Sequence, residues 1–216
     1  MYSGREIRRA AISLLLPNRC PFCDMVVGMT EYWCDECRSK LPFIEVQPEA
    51  PSPLDGMISC CYYDGLARSA VLRMKNGHYI YAPQAFAVFM AEFGGEMLKN
   101  VDLITAVPGS FRRRLQLGYA HAELIAKDIS KRAKKPYRRV IKALAVKKEQ
   151  KLLNRRERLE NARNSYKIVN KKYIENKIIL IVDDVSTTGA TVSAIASLLK
   201  EAGAKQVYAL TFAKTK

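Results

Sequence analysis

The sequence predicts an α/β fold, a parallel sheet flanked by helices, with a small N-terminal module held by four cysteines. Three observations predict it. From residue 57 onward, short apolar runs alternate with longer segments whose apolar residues recur at helical spacing. One such run, 177–182, delivers the adjacent carboxylates Asp183 and Asp184 into a Thr-Thr-Gly turn that opens a helix. Ahead of the alternating part stand two Cys-x-x-Cys pairs separated by ten residues.

At 216 residues the chain can bury one sizeable core and carry a small appended module. Arg5, Arg8 and Arg9 precede the apolar stretch 10–16, which is short, lacks a small-residue cleavage site and leads straight into Cys20. It reads as a short amphipathic helix rather than a signal peptide. No stretch approaches the roughly 20 apolar residues of a membrane span, so the expectation is a cytoplasmic protein without membrane insertion. Three blocks follow: 1–46, helix and cysteine module; 47–56, a proline-rich linker kept extended because proline enters neither ladders nor helix interiors; and 57–216, the α/β domain.

Within that domain, 57–63 reads as a strand holding Cys60 and Cys61 as buried bystanders. Residues 66–74 and 82–98 read as helices, the second interrupted near Gly94 and Gly95. A strand at 101–107 ends on Pro108, and a helix follows over 113–132. The continuous apolar run 177–182 is a central strand covered on both faces. A helix over 190–202 stops at Gly203, a suitable residue just past a helix end, and 206–213 is the last strand. His78 and His121 stand alone and read as structural.

Cys20, Cys23, Cys34 and Cys37 form two knuckles, each able to bring two thiolates onto one ion. Four thiolates complete a closed tetrahedral Zn²⁺ site, which is structural because no position stays open for substrate. A redox motif or paired disulfides are the competing account, disfavoured in a cytosolic chain. The first 45 residues are too few to fold without such a staple. Tyr32 and Trp33, beside the second knuckle, either stack on bases or pack against the linker.

The loop after the 177–182 strand carries the most specific chemistry. Backbone amides of the turn, the hydroxyls of Thr187, Thr188 and Thr191, and the positive end of the helix all favour a bound phosphate. Gly189 admits it without a side chain in the way. Paired aspartates beside a phosphate call for donors, such as sugar hydroxyls, or for Mg²⁺ bridging to a pyrophosphate. This element resembles the phosphoribosyl pyrophosphate loop of type I phosphoribosyltransferases. The resemblance implies that Asp183 and Asp184, the catalytic pair, hold the ribose hydroxyls. It implies too that Thr187, Thr188, Gly189, Ala190 and Thr191 wrap the 5′-phosphate, with Val185 and Ser186 leading into them. The polar Ser186 stands where the motif often has an apolar residue. The fold expected is therefore a type I phosphoribosyltransferase-like parallel sheet with an N-terminal four-Cys zinc ribbon.

Further segments resemble the ComF family, whose members are tied to natural competence and DNA use. They are Val107-Pro108 with Arg112, Arg113 and Arg114; Gly118-Tyr119 with Ala122-Glu123-Leu124; Gln150, Leu153, Arg155, Glu157, Arg158 and Asn161; and Lys75-Asn76-Gly77. Ala120-His121 and Asn76 depart from the family's usual residues. Pro108 and Gly109 form a turn at the sheet's carboxyl edge, where a pyrophosphate loop lies. Arg112, Arg113 and Arg114 supply donors for it, with Lys75, Arg155 and Arg158 in the same role. Residues 147–163 show no core face and suit a loop closing over ligand.

Net charge is +15. Residues 111–163 hold 18 of the 36 Lys and Arg but 5 of the 21 Asp and Glu, a surplus of 13. A field so concentrated favours a polyanion, against the plainer reading of solvated helix faces. The resemblance implies a protein of DNA uptake in natural transformation. Its phosphoribosyl pyrophosphate and Mg²⁺ site is joined by a basic surface for single-stranded DNA, with a helicase or other competence proteins as partners. The competing expectation is an active phosphoribosyltransferase, a pentosyl-transferring glycosyltransferase, acting on a small acceptor without DNA.

Overall fold

The computed structural model describes residues 18–28, 30–76, 81–109, 120–144 and 164–216. The helix expected before Cys20, His78, the first part of the helix expected over 113–132, and the loop 147–163 lie outside these residues. In chain order the elements are α1 (Asp35–Ser39), β1 (Gly56–Tyr62), α2 (Gly65–Lys75), α3 (Ala82–Asn100), β2 (Leu103–Ala106), α4 (His121–Ala133), β3 (Ile141–Ala143), β4 (Tyr166–Ile168), β5 (Ile178–Ser186), α5 (Ala190–Glu201) and β6 (Gln206–Lys214). A 3-10 turn, Lys171–Tyr173, precedes β5.

The main sheet has strand order β1-β6-β5-β2, and each of its pairings is parallel. Parallel sheets need both faces covered, which is why β5 reads as one apolar run. Ile179, Leu180, Ile181 and Val182 are fully buried. Successive side chains point to opposite faces, so Leu180 and Val182 join the core that holds residues of α2, α3 and α4. Ile179 and Ile181 join the core under α5. The sequence places the end of this strand at Asp183. The structure extends it to Ser186, because the ladder to β6 continues through Asp183↔Thr211 and Val185↔Ala213.

Within α3 the expected interruption is at Gly95, with φ 11° and ψ −101°. Two elements escape the sequence pattern. The short helix α1 lies between cysteines and is capped by Cys34, whose sulfur accepts from Cys37 N at 3.4 Å. The hairpin β3–β4 consists of three-residue strands too short to show a period.

The segment 47–56 is pinned along β1. Gln47 bonds the Ser59 backbone in both directions, at 2.9 and 3.0 Å. Asp55 accepts from Val207 N at 2.7 Å and pairs with Lys200 at 2.6 Å. The cysteine module is likewise seated on the sheet domain. The Phe22 ring sits 6.3 Å from that of Phe212, and Phe43 stacks on Phe89 at 5.6 Å. Trp33 meets Phe89 edge-on at 5.3 Å, while Tyr32 lies under Arg132 and accepts from it at 3.1 Å. These two aromatics therefore pack on α3 and α4. No helix of the described residues is long and apolar enough to cross a membrane.

Candidate functional site

The four cysteine sulfurs lie within 4.8 Å of one another. Sγ of Cys34 is 3.7 Å from that of Cys23 and 3.8 Å from that of Cys20. A tetrahedral site with Zn–S bonds of about 2.3 Å requires sulfurs about 3.8 Å apart, so the cluster fits Zn²⁺. Cys20 and Cys37 are buried against the sheet domain. Burial first, then hydrogen bonds with Cys23 and Cys34, push the Cys37 thiol well up; a coordinated cation reverses that by stabilising thiolates. Cys60 and Cys61 are fully buried in β1, away from the cluster. Burial pushes the Cys61 thiol up to about 12, so it is an inert neutral group.

The second constellation forms at the carboxyl end of β5. The Asp184 amide donates to Asp183 Oδ1 at 2.9 Å. The two carboxylates lie close enough for each to feel the other's charge. Asp184 meets Lys75 Nζ, at the end of α2, at 3.0 Å, with both side chains largely buried. The Asp183 carboxyl lies near enough to Tyr166 of the hairpin for its charge to act on that hydroxyl. Burial, and next the charge of Asp184, raise the Asp183 carboxyl well above the usual range, although the Asp184 amide and Lys75 oppose this. Burial and the Asp183 charge likewise push Tyr166 up.

From there the chain turns. Thr187 and Thr188 are exposed, Gly189 is buried, and α5 starts at Ala190 with Thr191 in its first turn. Thr188 Oγ1 accepts from Ala190 N at 3.4 Å. Gly189 has φ +75°, and a Cβ there would stand 2.7 Å from Pro51 Cγ. The proline-rich segment thus closes one side of the loop, beside a cavity of about 380 Å³ lined by Glu49, Pro51, Ser186, Thr188 and Lys214 among others. Gly189→Ala is expected to destabilise by about 1–2 kcal/mol from the left-handed backbone alone, and more from the clash with Pro51. Urea unfolding of the variant checks this; an unchanged midpoint would remove the constraint.

Pro108 and Gly109 follow β2, the strand that pairs with β5, and so share its carboxyl edge. The expected pyrophosphate residues Arg112, Arg113, Arg114, Arg155 and Arg158 lie outside the described residues. The structure brings together Lys75, Asp183, Asp184 and the loop to Thr191.

Sequence reasoning missed several neighbours. Tyr166 and Pro51 gave no local signal, since both act through distant segments. Arg73, two residues before Lys75, donates from its guanidinium to the Pro21 and Phe22 carbonyls of the first knuckle. Helix α2 therefore touches both the cysteine module and the carboxylate pair.

Glu123, buried on α4, accepts from Arg139 at 2.7 and 2.8 Å and pairs with Lys127 at 3.1 Å. Burial would raise its carboxyl, but the Arg139 and Lys127 hydrogen bonds and charges outweigh it and hold the carboxyl below its usual range. A depressed folded-state value means stability that is present above the unfolded pKa of about 4.3 and is lost as pH falls through the folded value. Glu123→Gln is expected to cost about 1 kcal/mol at pH 7, the half-exposed Arg139 limiting the effect. The difference from wild type should shrink toward zero on acidification, as read by urea melts across pH. A pH-independent difference would contradict the ionic account.

Residues 121–216 match the phosphoribosyl transferase domain family, and residues 11–48 match the double zinc ribbon domain family. Among curated proteins, the chain is 25% identical over 194 residues to Competence protein F of Haemophilus influenzae, covering 87% of this chain and 82% of that one. It is 26% identical over 204 residues to the DNA utilization protein YhgH of Escherichia coli, covering 91% and 84%. Among solved structures, adenine phosphoribosyltransferase from Thermoanaerobacter pseudethanolicus superposes with a TM-score of 0.40 and 16% identity, over 65% of this chain and 83% of that one. The sheet is of the phosphoribosyltransferase type, and the cysteine cluster is a structural zinc ribbon.

Proposed function

Because the chain belongs to the ComF family, we propose that it acts in DNA uptake during natural transformation, holding Mg²⁺-bound phosphoribosyl pyrophosphate at residues 183–191 and single-stranded DNA on its basic surface. The observation that carries the small-ligand part is the Asp183–Asp184 pair at the end of β5, followed at once by a hydroxyl-rich turn at a helix N-terminus. In this reading Asp183 and Asp184 accept from the ribose hydroxyls, and the amides and hydroxyls from Thr187 to Thr191 hold the 5′-phosphate. Lys75, Pro108 and Gly109 border the pyrophosphate, where Mg²⁺ neutralises charge, and Arg112 to Arg114, Arg155 and Arg158 complete its surroundings. The protein works in the cytoplasm beside a helicase or other competence proteins.

Calorimetric titration of the wild type with phosphoribosyl pyrophosphate, with and without Mg²⁺, tests the site. Saturable, Mg²⁺-dependent heat is expected; its absence would leave the loop as inherited architecture. The DNA part is tested separately, by salt-dependent binding of a labelled single strand.

The complete carboxylate pair favours a second reading, in which the protein is a phosphoribosyltransferase that binds no DNA. A nucleophile on a small acceptor attacks the anomeric carbon, the bond to pyrophosphate breaks, and pyrophosphate leaves with its Mg²⁺ while the acceptor loses a proton to solvent. Acceptor-dependent release of pyrophosphate, with no retention of single-stranded DNA, would establish it.

A further inference from the structure

Positive charge is also concentrated around the β3–β4 hairpin and the turn that follows it. In the described stretches 131–144 and 164–177 there are 11 Lys and Arg and one acidic residue, Glu175. The antiparallel hairpin sets Lys142 directly opposite Lys167. Because neighbours alternate faces, Ile141 and Ile168 turn toward the core under α5 while both lysines are exposed. Like charges placed directly opposite disfavour a strand pair, and neither lysine has a carboxylate within ion-pair distance among the described residues. The arrangement is one that an external anion relieves.

An exposed ring adjoins it. Tyr173 is 37% exposed, with the Arg138 guanidinium 5.4 Å and the Lys172 ammonium 5.1 Å from its centroid. Main-chain and side-chain bonds tie this turn to the hairpin: Val169 N to Val140 O at 2.8 Å, and Asn170 Nδ2 to Arg139 O at 3.0 Å. Lys171 is exposed on the same turn. An aromatic platform bracketed by cations, next to a doubled lysine, matches what an unpaired nucleic-acid strand requires: a face for a base and positive charge along its backbone.

We propose that the outer face of β3–β4, with Arg138, Lys142, Lys167, Lys171, Lys172 and Tyr173, is a stacking and phosphate-contact platform for single-stranded nucleic acid. It rests on the nucleic-acid reading above and places the contact on residues outside the phosphoribosyl site. Duplex is the poorer fit, because its paired bases offer no face to Tyr173.

The test uses the full chain and a fluorescent oligothymidylate, followed by anisotropy over a range of salt. Lys142→Glu with Lys167→Glu is expected to weaken binding at least tenfold at low salt. It should also flatten the dependence of log affinity on log salt by about 1–2, as for the loss of two phosphate contacts. Tyr173→Ala is expected to weaken binding roughly tenfold with an unchanged salt slope, and Tyr173→Trp to restore it. Thermal melts should match wild type, since these side chains are exposed. If wild type binds the oligomer and the folded variants bind it equally well, the platform is wrong while DNA binding stands. If wild type retains no oligomer even at low salt, the nucleic-acid reading itself fails. Equal loss of a matched duplex in the Tyr173→Ala variant would also overturn the stacking role.

Discussion

Asp183→Asn combined with Asp184→Asn is expected to abolish Mg²⁺-dependent binding of phosphoribosyl pyrophosphate, with a loss of at least about a hundredfold, while the protein stays folded. Two charge-assisted hydrogen bonds, each contributing about 1.5–3 kcal/mol, account for that magnitude. Retention of the fold follows from the electrostatics. Burial and the neighbouring Asp184 charge hold the Asp183 carboxyl well above its usual range, so ionising it opposes folding. A raised folded-state value gives stability that is complete below the unfolded pKa of about 3.9 and is lost as pH rises through the folded value. The double amide variant escapes that loss, and its melting temperature relative to wild type should climb as pH rises from about 4. Lys75 loses its 3.0 Å partner but reaches water. Calorimetry reads the first effect and melts across pH the second. Single-stranded DNA affinity should be unchanged. Binding heat that survives the double substitution would remove the carboxylates from the site, and equal loss of DNA affinity in a folded variant would merge the two sites.

Cys34→Ala is expected to release the zinc and to lower the melting temperature by tens of degrees. Structural zinc in small modules contributes on the order of 10 kcal/mol, comparable with the whole stability of a domain. The loss is not confined to the N-terminal module. Phe22, Trp33 and Phe43 are packed on Phe86, Phe89, Phe93 and Phe212, and these contacts hold only while the knuckles keep their shape. Cys34 also caps α1. Metal analysis and calorimetric melting check both parts. Cys61→Ala is the control, since that thiol is neutral and away from the cluster; it should keep its zinc and lose only packing, about 1–2 kcal/mol. Full zinc content in Cys34→Ala would sink the four-thiolate assignment.

Some features were legible in the residues because they are local. The β5 run announces itself through five consecutive apolar side chains, Ile178 to Val182, since a strand covered on both faces cannot alternate. The Asp-Asp, Thr-Thr-Gly and helix order is contiguous, and the cysteine spacing fixes which sulfurs can share an ion. Gly95 and Gly203 marked a kink and a helix end through backbone freedom alone.

Other features depend on which segments meet, and local pattern does not specify that. The fold sets the Lys75 ammonium against Asp184, because α2 ends beside the carboxyl edge of β5. The proline-rich segment looked like a spacer, yet Pro51 closes on Gly189 once Gln47 and Asp55 fasten it along β1. Strands β3 and β4 are three residues each and become a hairpin only by pairing across 22 intervening residues, so no period reveals them. The sequence by itself determined the fold class, the four-cysteine cluster and the order of strand, paired carboxylates, hydroxyl-rich turn and helix, since each is written within a few adjacent residues. Tertiary structure alone decided that Lys75 faces Asp184, that Tyr166 comes within reach of the Asp183 charge, and that Lys142 stands directly opposite Lys167. Contacts between residues far apart in the chain are set by how the two cores close around the sheet.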